Sequence, residues 1–321
     1  MILVPKSAAG ARVDQFLPQA LAEVHGVVRS RRAIRRAIDG GAVWLDGRRL
    51  RVSSRKVWPG QRLELRLSPT EEAGSPPPRA EAPRLEPESI LYEDPWLLAI
   101  DKAAGLPSQA TPTDALGNAL AAARARARSR GEDGREIELC HRLDRGTSGV
   151  LLLAKGQEAV AATSRAFAER RVEKRYRALV ATSSTSELGD RAPRWTIDRP
   201  LAKAGRTMAV DPLGKEAITE VQVLEVSSGV ASVEARPLTG RRHQIRVHLA
   251  AEGLPVLGDR LYRGPGGAEP REAERLMLHS ASLALKHPMD PSRGTLSIAA
   301  PLPRDFESLI GSLRGEGPIS G

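Results

Sequence analysis

Aromatic residues, cysteine and long apolar runs are all scarce in this chain, and each scarcity excludes something. Across 321 residues there are three Phe, three Tyr and four Trp, so the 40% apolar content is mostly Ala, Leu and Val. That is the composition of a globular chain long enough for two domains. The single cysteine, Cys140, excludes an intrachain disulfide and any multi-cysteine metal site. No window approaches the roughly 18 consecutive apolar residues of a membrane span. The opening "MILVPKSAAGARVDQFL" lacks the charged start and apolar stretch of a secretory signal. A cytoplasmic location is expected, with no membrane partner. Phosphate cradles are missing as well: neither G-x-x-x-x-G-K-[ST] nor G-x-G-x-x-G occurs. "GTSGV" stops short of G-x-S-x-G because Val150 stands where the last glycine belongs. One cysteine cannot build the H-x-E and C-x-x-C pattern of a zinc deaminase. His141 and Asp144 have no further ligand at suitable spacing, so neither a metal nor a cofactor is expected.

What is abundant is positive charge. Lys and Arg number 49 against 39 Asp and Glu, a net charge of +10. Residues 11–70 alone carry 13 against 5, or +8. Clustered arginine favours a polyanion, because neutralising phosphates releases counterions.

Residues 71–87, "EEAGSPPPRAEAPRLEP", read as an extended linker between two domains. The expected division is a basic module at 1–70, the linker, a larger domain at 88–310 and a tail at 311–321. In the module, Val13, Phe16, Leu17 and Leu21 recur at helical spacing. "SRRAIRRAIDGG" reads as a second helix capped by Ser30, with Arg31, Arg32, Arg35 and Arg36 on its outer surface. "AVWLDGRRL" reads as a hairpin turning at Asp46–Gly47. Two short helices feeding a small basic sheet resemble the S4 RNA-binding module over about residues 11–67. In the larger domain strand-like runs outnumber helical ones and rarely alternate with them. An α+β fold with a mixed, largely antiparallel sheet is expected.

The chemistry concentrates in "ELCHRLDRGTSGVLLLAK", residues 138–155. Its ends are buried-strand material; its middle, His141 to Gly149, is polar and charged. Polar groups are costly to bury without partners, so the break is a surface turn or a site. One carboxylate, Asp144, stands between Arg142 and Arg145, and a carboxylate can serve as nucleophile or base. In "TGRRHQIRVHLAAEG" the spacing predicts a helix capped by Thr239 and stopped by Gly253, with Arg242, Arg246 and Ala250 on one face. His141, His243 and His248 read as structural hydrogen-bonding residues.

"HRLDRGTSGVLLLAK" resembles the H-R-L-D signature of the RluA-type RNA pseudouridine synthases. The resemblance extends to "YEDPWLLAIDKAAGL" (92–106), where Ala103 stands in place of the usual proline. It continues through "VEKRYRALV" (172–180), "LTGRRHQIRVHLAAEGLPVLGDRLYRG" (238–264) and "LHSASLALKHP" (278–288). The motifs occur in family order over about residues 88–303. The resemblance implies isomerisation of uridine to pseudouridine in RNA, without metal or cofactor. It implies that Asp144 is the catalytic aspartate and Tyr176 the active-site tyrosine that stacks on the base and is implicated in proton removal. It implies that Arg246 pairs with that aspartate and that Arg142 enters the RNA beside the extruded base. With an S4-like module ahead, structured large-subunit ribosomal RNA is the expected partner, and the protein is expected to be a monomer. Two alternatives stay open: the same chemistry on tRNA, and a non-catalytic RNA-binding ribosome-assembly factor.

Overall fold

A computed structural model describes residues 2–25, 34, 37–38, 42–50, 52–65, 82–111, 116–182, 193–205, 207–227, 229–263 and 273–313. Contacts divide the chain into two units, 1–81 and 82–321. Residues 71–81 of the linker stretch lie outside the described residues, and 82–87 fall within the second unit.

In the first unit, helix α1 (Val13–His25) lies with four short strands: β1 (Ile2–Leu3), β2 (Val43–Leu45), β3 (Arg48–Arg49) and β4 (Arg62–Leu65). They form an antiparallel sheet in the order β1-β4-β2-β3. The α1 residues Val13, Phe16, Leu17, Ala20 and Leu21 are buried, as one apolar stripe requires. Asp46 and Gly47 have φ of 50° and 75°, the positive pair that lets a two-residue turn follow the twist of its strands. The Asp46 carboxylate secures the turn by accepting from Arg62 N at 2.7 Å and Gln61 Nε2 at 2.8 Å. In the second expected helix, Ile34, Ala37 and Ile38 are helical, and both isoleucines are buried in the same core. Arg31, Arg32, Arg35 and Arg36 lie outside the described residues.

The second unit is built on a ten-stranded mixed sheet. In chain order its elements begin with β5 (Ile90–Glu93), β6 (Leu97–Lys102), α2 (Ala119–Ser129), β7 (Ile137–Leu139) and β8 (Ser148–Lys155). There follow α3 (Gln157–Ala168), β9 (Glu173–Ala181) and β10 (Arg194–Asp198), then a separate ribbon of β11 (Leu201–Ala204) and β12 (Thr207–Val210). The chain closes with β13 (Ile218–Ser227), β14 (Val230–Pro237), α4 (Gln244–Ala251), β15 (Leu278–Lys286), β16 (Thr295–Ala299) and α5 (Arg304–Leu313). The sheet runs β10-β13-β14-β9-β15-β8-β6-β5, with β16 added to β15 and β7 to β8. Among the described residues every pairing is antiparallel except β8 with β15. This is the expected α+β class.

Strand β8 is central and buried on both faces, hence its unbroken apolar sequence. Leu151 and Leu153 face one core; Val150, Leu152 and Ala154 face the other. Its parallel pairing with β15 demands glycine at its start. Gly149 has φ of 102°, and a Cβ there would lie 2.2 Å from the Ser280 carbonyl oxygen.

One expected element is corrected. Helix α4 begins at Gln244, not after Thr239, and His243 precedes it with a left-handed φ of 55°. Thr239 caps nothing: its hydroxyl accepts from Ile218 N at 2.9 Å and donates to Gln244 Oε1 at 2.7 Å. The buried Gln244 amide also donates to Ile218 O at 2.9 Å and Thr219 Oγ1 at 3.0 Å. Cross-linking to β13 therefore wins over helix propensity, and Arg242 is not on the Arg246 face. Gly253, with φ of 77°, ends the helix as its sequence position predicts.

Candidate active site

The polar break in the β7–β8 hairpin is accounted for bond by bond. Strand β7 pairs with β8 as far as Leu139 opposite Leu153. Beyond it the His141 ring replaces a strand carbonyl, with Nε2 accepting from Leu152 N at 2.9 Å. Burial, with Lys174 nearby, pulls this imidazole down to about 3, so it is a neutral acceptor. Its ring stacks on Phe167 with centroids 4.6 Å apart. Buried Ser108 grips the loop from the other side: its hydroxyl accepts from Leu143 N at 3.0 Å and donates to Leu143 O at 2.9 Å. Arg145 Nε donates to Gly105 O, and Gly105 N returns a bond to Arg145 O, both at 2.8 Å. Lys102 is fully buried beneath the turn, donating to Ala103 O at 2.9 Å, Leu106 O at 2.8 Å and, at 3.4 Å, Arg145 O. The loop is thus a preformed platform, and Asp144 stands on it.

Arg246 on α4 donates from one terminal nitrogen to Asp144 Oδ2 at 3.1 Å. Its stronger partner is Asp259, which accepts from Nε and the second terminal nitrogen, each at 2.7 Å. Side-chain exposure falls from 26% for Asp144 through 8% for Arg246 to 0% for Asp259. Asp259 also accepts from Leu261 N at 2.9 Å and Tyr262 N at 3.2 Å, which fixes it before it meets the arginine. The guanidinium lies over the Tyr262 ring, 5.0 Å from its centroid. The Tyr262 hydroxyl takes a bond from Met208 N at 3.0 Å and lies 2.6 Å from His243 Nδ1. His243 Nε2 is 3.7 Å from Asp144 Oδ1, and burial pulls this imidazole below its usual range. Asp144 therefore has one oxygen tethered and the other lightly engaged.

Asp144, Tyr176, Arg246 and Arg142 all line one cleft of about 760 Å³. The exposed Arg142 stands on the same loop as Asp144. Tyr176 is supplied by β9, the strand beside β14 and β15. Burial pushes its phenol up to about 12, the Asp144 charge adds to this, and Ser280 opposes it. At neutral pH the phenol keeps its proton.

Sequence reasoning missed Asp259, His243 and Tyr262 as parts of this network. Asp259 stood in the "LPVLGDRLY" turn, where its sequence context marks only a turn. The available signal was arithmetic: a buried guanidinium has five N–H donors, and one carboxylate accepting a single bond leaves most unanswered. His248 is structural as expected: it lies 2.9 Å from Thr219 Oγ1 and 3.0 Å from Arg199 O.

Lys102→Met tests the platform. Without its ammonium three loop carbonyls lose a donor, and misplacing a reactive group by about 1 Å can cost on the order of 10²-fold in rate. Any reaction carried on Asp144 is expected to slow by about that factor. Burial pulls the Lys102 amine from the usual 10.5 to about 8. Between those values the unfolded chain binds the extra proton, so this residue makes stability rise with pH there. Urea unfolding across that window should show the rise in the wild type, reduced in Lys102→Met.

A family model for RNA pseudouridylate synthase matches residues 97–251, and an S4 domain model matches residues 13–63. The chain is 37% identical over 327 residues to an uncharacterized RNA pseudouridine synthase of Mycobacterium bovis, covering 98% of each. It is 32% identical over 328 residues to ribosomal large subunit pseudouridine synthase D of Xanthomonas campestris, covering 97% of this chain and 92% of that one. The solved structure of human RNA Pseudouridylate Synthase Domain Containing 4 superposes with a TM-score of 0.55 at 27% identity. That match covers 70% of this chain and 93% of the human one.

Proposed function

The chain belongs to the RNA pseudouridine synthase family, with an S4 domain ahead of the catalytic unit, and from that premise we propose that Asp144 drives isomerisation of a uridine in large-subunit ribosomal RNA. The observation that carries the assignment of Asp144 is the division of labour between its oxygens. Oδ2 is held by Arg246, while among the described residues Oδ1 has only the His243 ring at 3.7 Å, and Asp144 lines the cleft.

A uridine within folded RNA is stacked or paired and must leave the stack to be reached. Arg142 enters the space it vacates. The base lies against Tyr176, and Oδ1 meets the ribose as nucleophile or base. The N1–C1′ bond breaks, the uracil turns, a C5–C1′ bond forms, and the C5 proton leaves while N1 gains one. Nothing is oxidised or reduced. Tyr176 at about 12 is a poor proton acceptor as it stands. Its own proton must leave before it can take the one from C5; burial, the larger of the influences that hold it there, is unchanged when the Asp144 charge is spent.

Ribosomal RNA is favoured as substrate by the +8 charge of residues 11–70 and by the ribosomal large subunit name of the Xanthomonas relative. The purified chain is expected to form pseudouridine in unmodified large-subunit ribosomal transcripts and not in tRNA transcripts; the reverse pattern would overturn the substrate. Deleting residues 1–81 is expected to weaken RNA binding and to flatten its salt dependence. The slope should fall by roughly 0.7–0.9 log units for each phosphate that the truncated chain no longer neutralises. Unchanged affinity and slope in the truncated chain would remove the RNA-gripping role of that unit.

A further inference from the structure

Among the described Arg, Lys, Asp and Glu side chains that line the cleft, six are cationic and only Asp144 is acidic. Several of the cations are answered from within the protein. Arg246 has Asp259 and Asp144, Arg170 has the Glu216 carboxylate, and Arg241 Nε donates to Glu216 O at 2.9 Å. Lys174 is different. It is half-buried on β9, its one hydrogen bond is a long 3.3 Å approach to Thr239 O, and among the described residues no carboxylate stands within ion-pair distance. A lysine needed only for its stem turns its ammonium to bulk water. This one lines the cleft instead, where burial and the neighbouring Arg170 both work against its proton. The nearby His141 is neutral and supplies no counter-charge. A half-buried cation without an anion close by is a poorly answered charge, and among the described residues no carboxylate answers Lys174. Lys174 and Tyr176 are two residues apart on one strand, so they share a face, separated by about 7 Å. A nucleotide whose base lies against Tyr176 carries its own phosphates within that reach.

We propose that Lys174 forms a phosphate subsite of the cleft, its ammonium taking a backbone phosphate of the uridine whose base lies against Tyr176. The inference rests on the placement of the base given under the proposed function. It adds a strand-mounted electrostatic anchor to a cleft whose exposed cations stand on loops. The anchor acts on the phosphodiester and not on the base, so it holds any extruded nucleotide and leaves the choice of uridine to the rest of the RNA.

The test uses the full chain and uridine 3′,5′-bisphosphate as probe, with uridine as the uncharged control, followed by ³¹P and ligand-observed NMR titration. The wild type is expected to bind the bisphosphate more tightly than uridine. Lys174→Met is expected to weaken bisphosphate binding by about tenfold, the value of one charge-assisted hydrogen bond, and to leave uridine binding unchanged. Lys174→Arg, which keeps the charge, is expected to retain most of the affinity, and Lys174→Gln repeats the test should the methionine variant not fold. Equal bisphosphate affinity in folded Lys174→Met or Lys174→Gln and wild type would overturn the subsite, as would a wild type that does not distinguish bisphosphate from uridine. Turnover is not the readout. Binding through Lys174 in a chain that forms no pseudouridine would retain the subsite and reject the reaction.

Discussion

Asp144→Asn is expected to abolish pseudouridine formation, reducing it at least about 10³-fold, while RNA affinity stays within a few-fold. The amide has the size of the carboxylate and can still accept from Arg246, so the loop keeps the bond now made at 3.1 Å. What disappears is a charged oxygen able to attack carbon or take a proton. Removing such a group commonly costs on the order of 10²–10⁴-fold, and more where it also forms a covalent bond. Affinity is preserved because a carboxylate repels phosphate, and its neutralisation works, if anything, in favour of binding. Release of the uridine C5 hydrogen from tritiated ribosomal RNA measures the first quantity and filter binding the second. Measurable turnover at about a tenth of the wild-type rate would remove Asp144 from the chemistry, since a group essential to it is worth far more than tenfold.

Arg246→Met is expected to destroy activity and also to lower stability by about 3–5 kcal/mol, since it strands a buried carboxylate. The stranded group is Asp259, fully buried and held to Arg246 by two 2.7 Å bonds, more than the partly exposed Asp144. The double variant Arg246→Met, Asp259→Leu removes both charges, and much of the stability should return, because apolar replacement of a whole buried pair is often neutral. Activity should not return, because Asp144 Oδ2 still lacks its tether. Urea midpoints for the two single variants and the double variant decide the matter. Additive destabilisation would show that the two side chains do not depend on one another. Recovery of turnover together with stability would show that Arg246 serves the fold and not the aspartate.

Legibility in the sequence divides along the line between local and tertiary information. The sheet class follows from strand-like runs too frequent for βαβ alternation, and the Asp46–Gly47 turn from two residues that tolerate positive φ. Asp144, Tyr176 and Arg246 each sit inside a motif whose residue order marks it, and the fold brings all three to one cleft. Asp259 was hidden because its meaning depends on a side chain 13 residues away, reached only when α4 and the following turn pack together. The start of α4 was misplaced because a threonine shortly ahead of an apolar run reads as a cap. The pull of buried Gln244 on β13 cannot be seen in the one-dimensional pattern. His243 had the same difficulty: a left-handed residue between two helical-looking neighbours leaves no periodic trace.

The most direct measurement replaces the chromosomal gene by its Asp144→Asn allele and maps pseudouridine across large-subunit ribosomal RNA at single-nucleotide resolution, with the wild-type strain alongside. The loop that breaks an otherwise apolar strand is then tested for the one purpose assigned to it. One or a few defined uridines should be pseudouridine in the wild type and unmodified in the variant, with every other site unchanged and the variant protein present at normal abundance. Identical maps from the two strains would contradict the account.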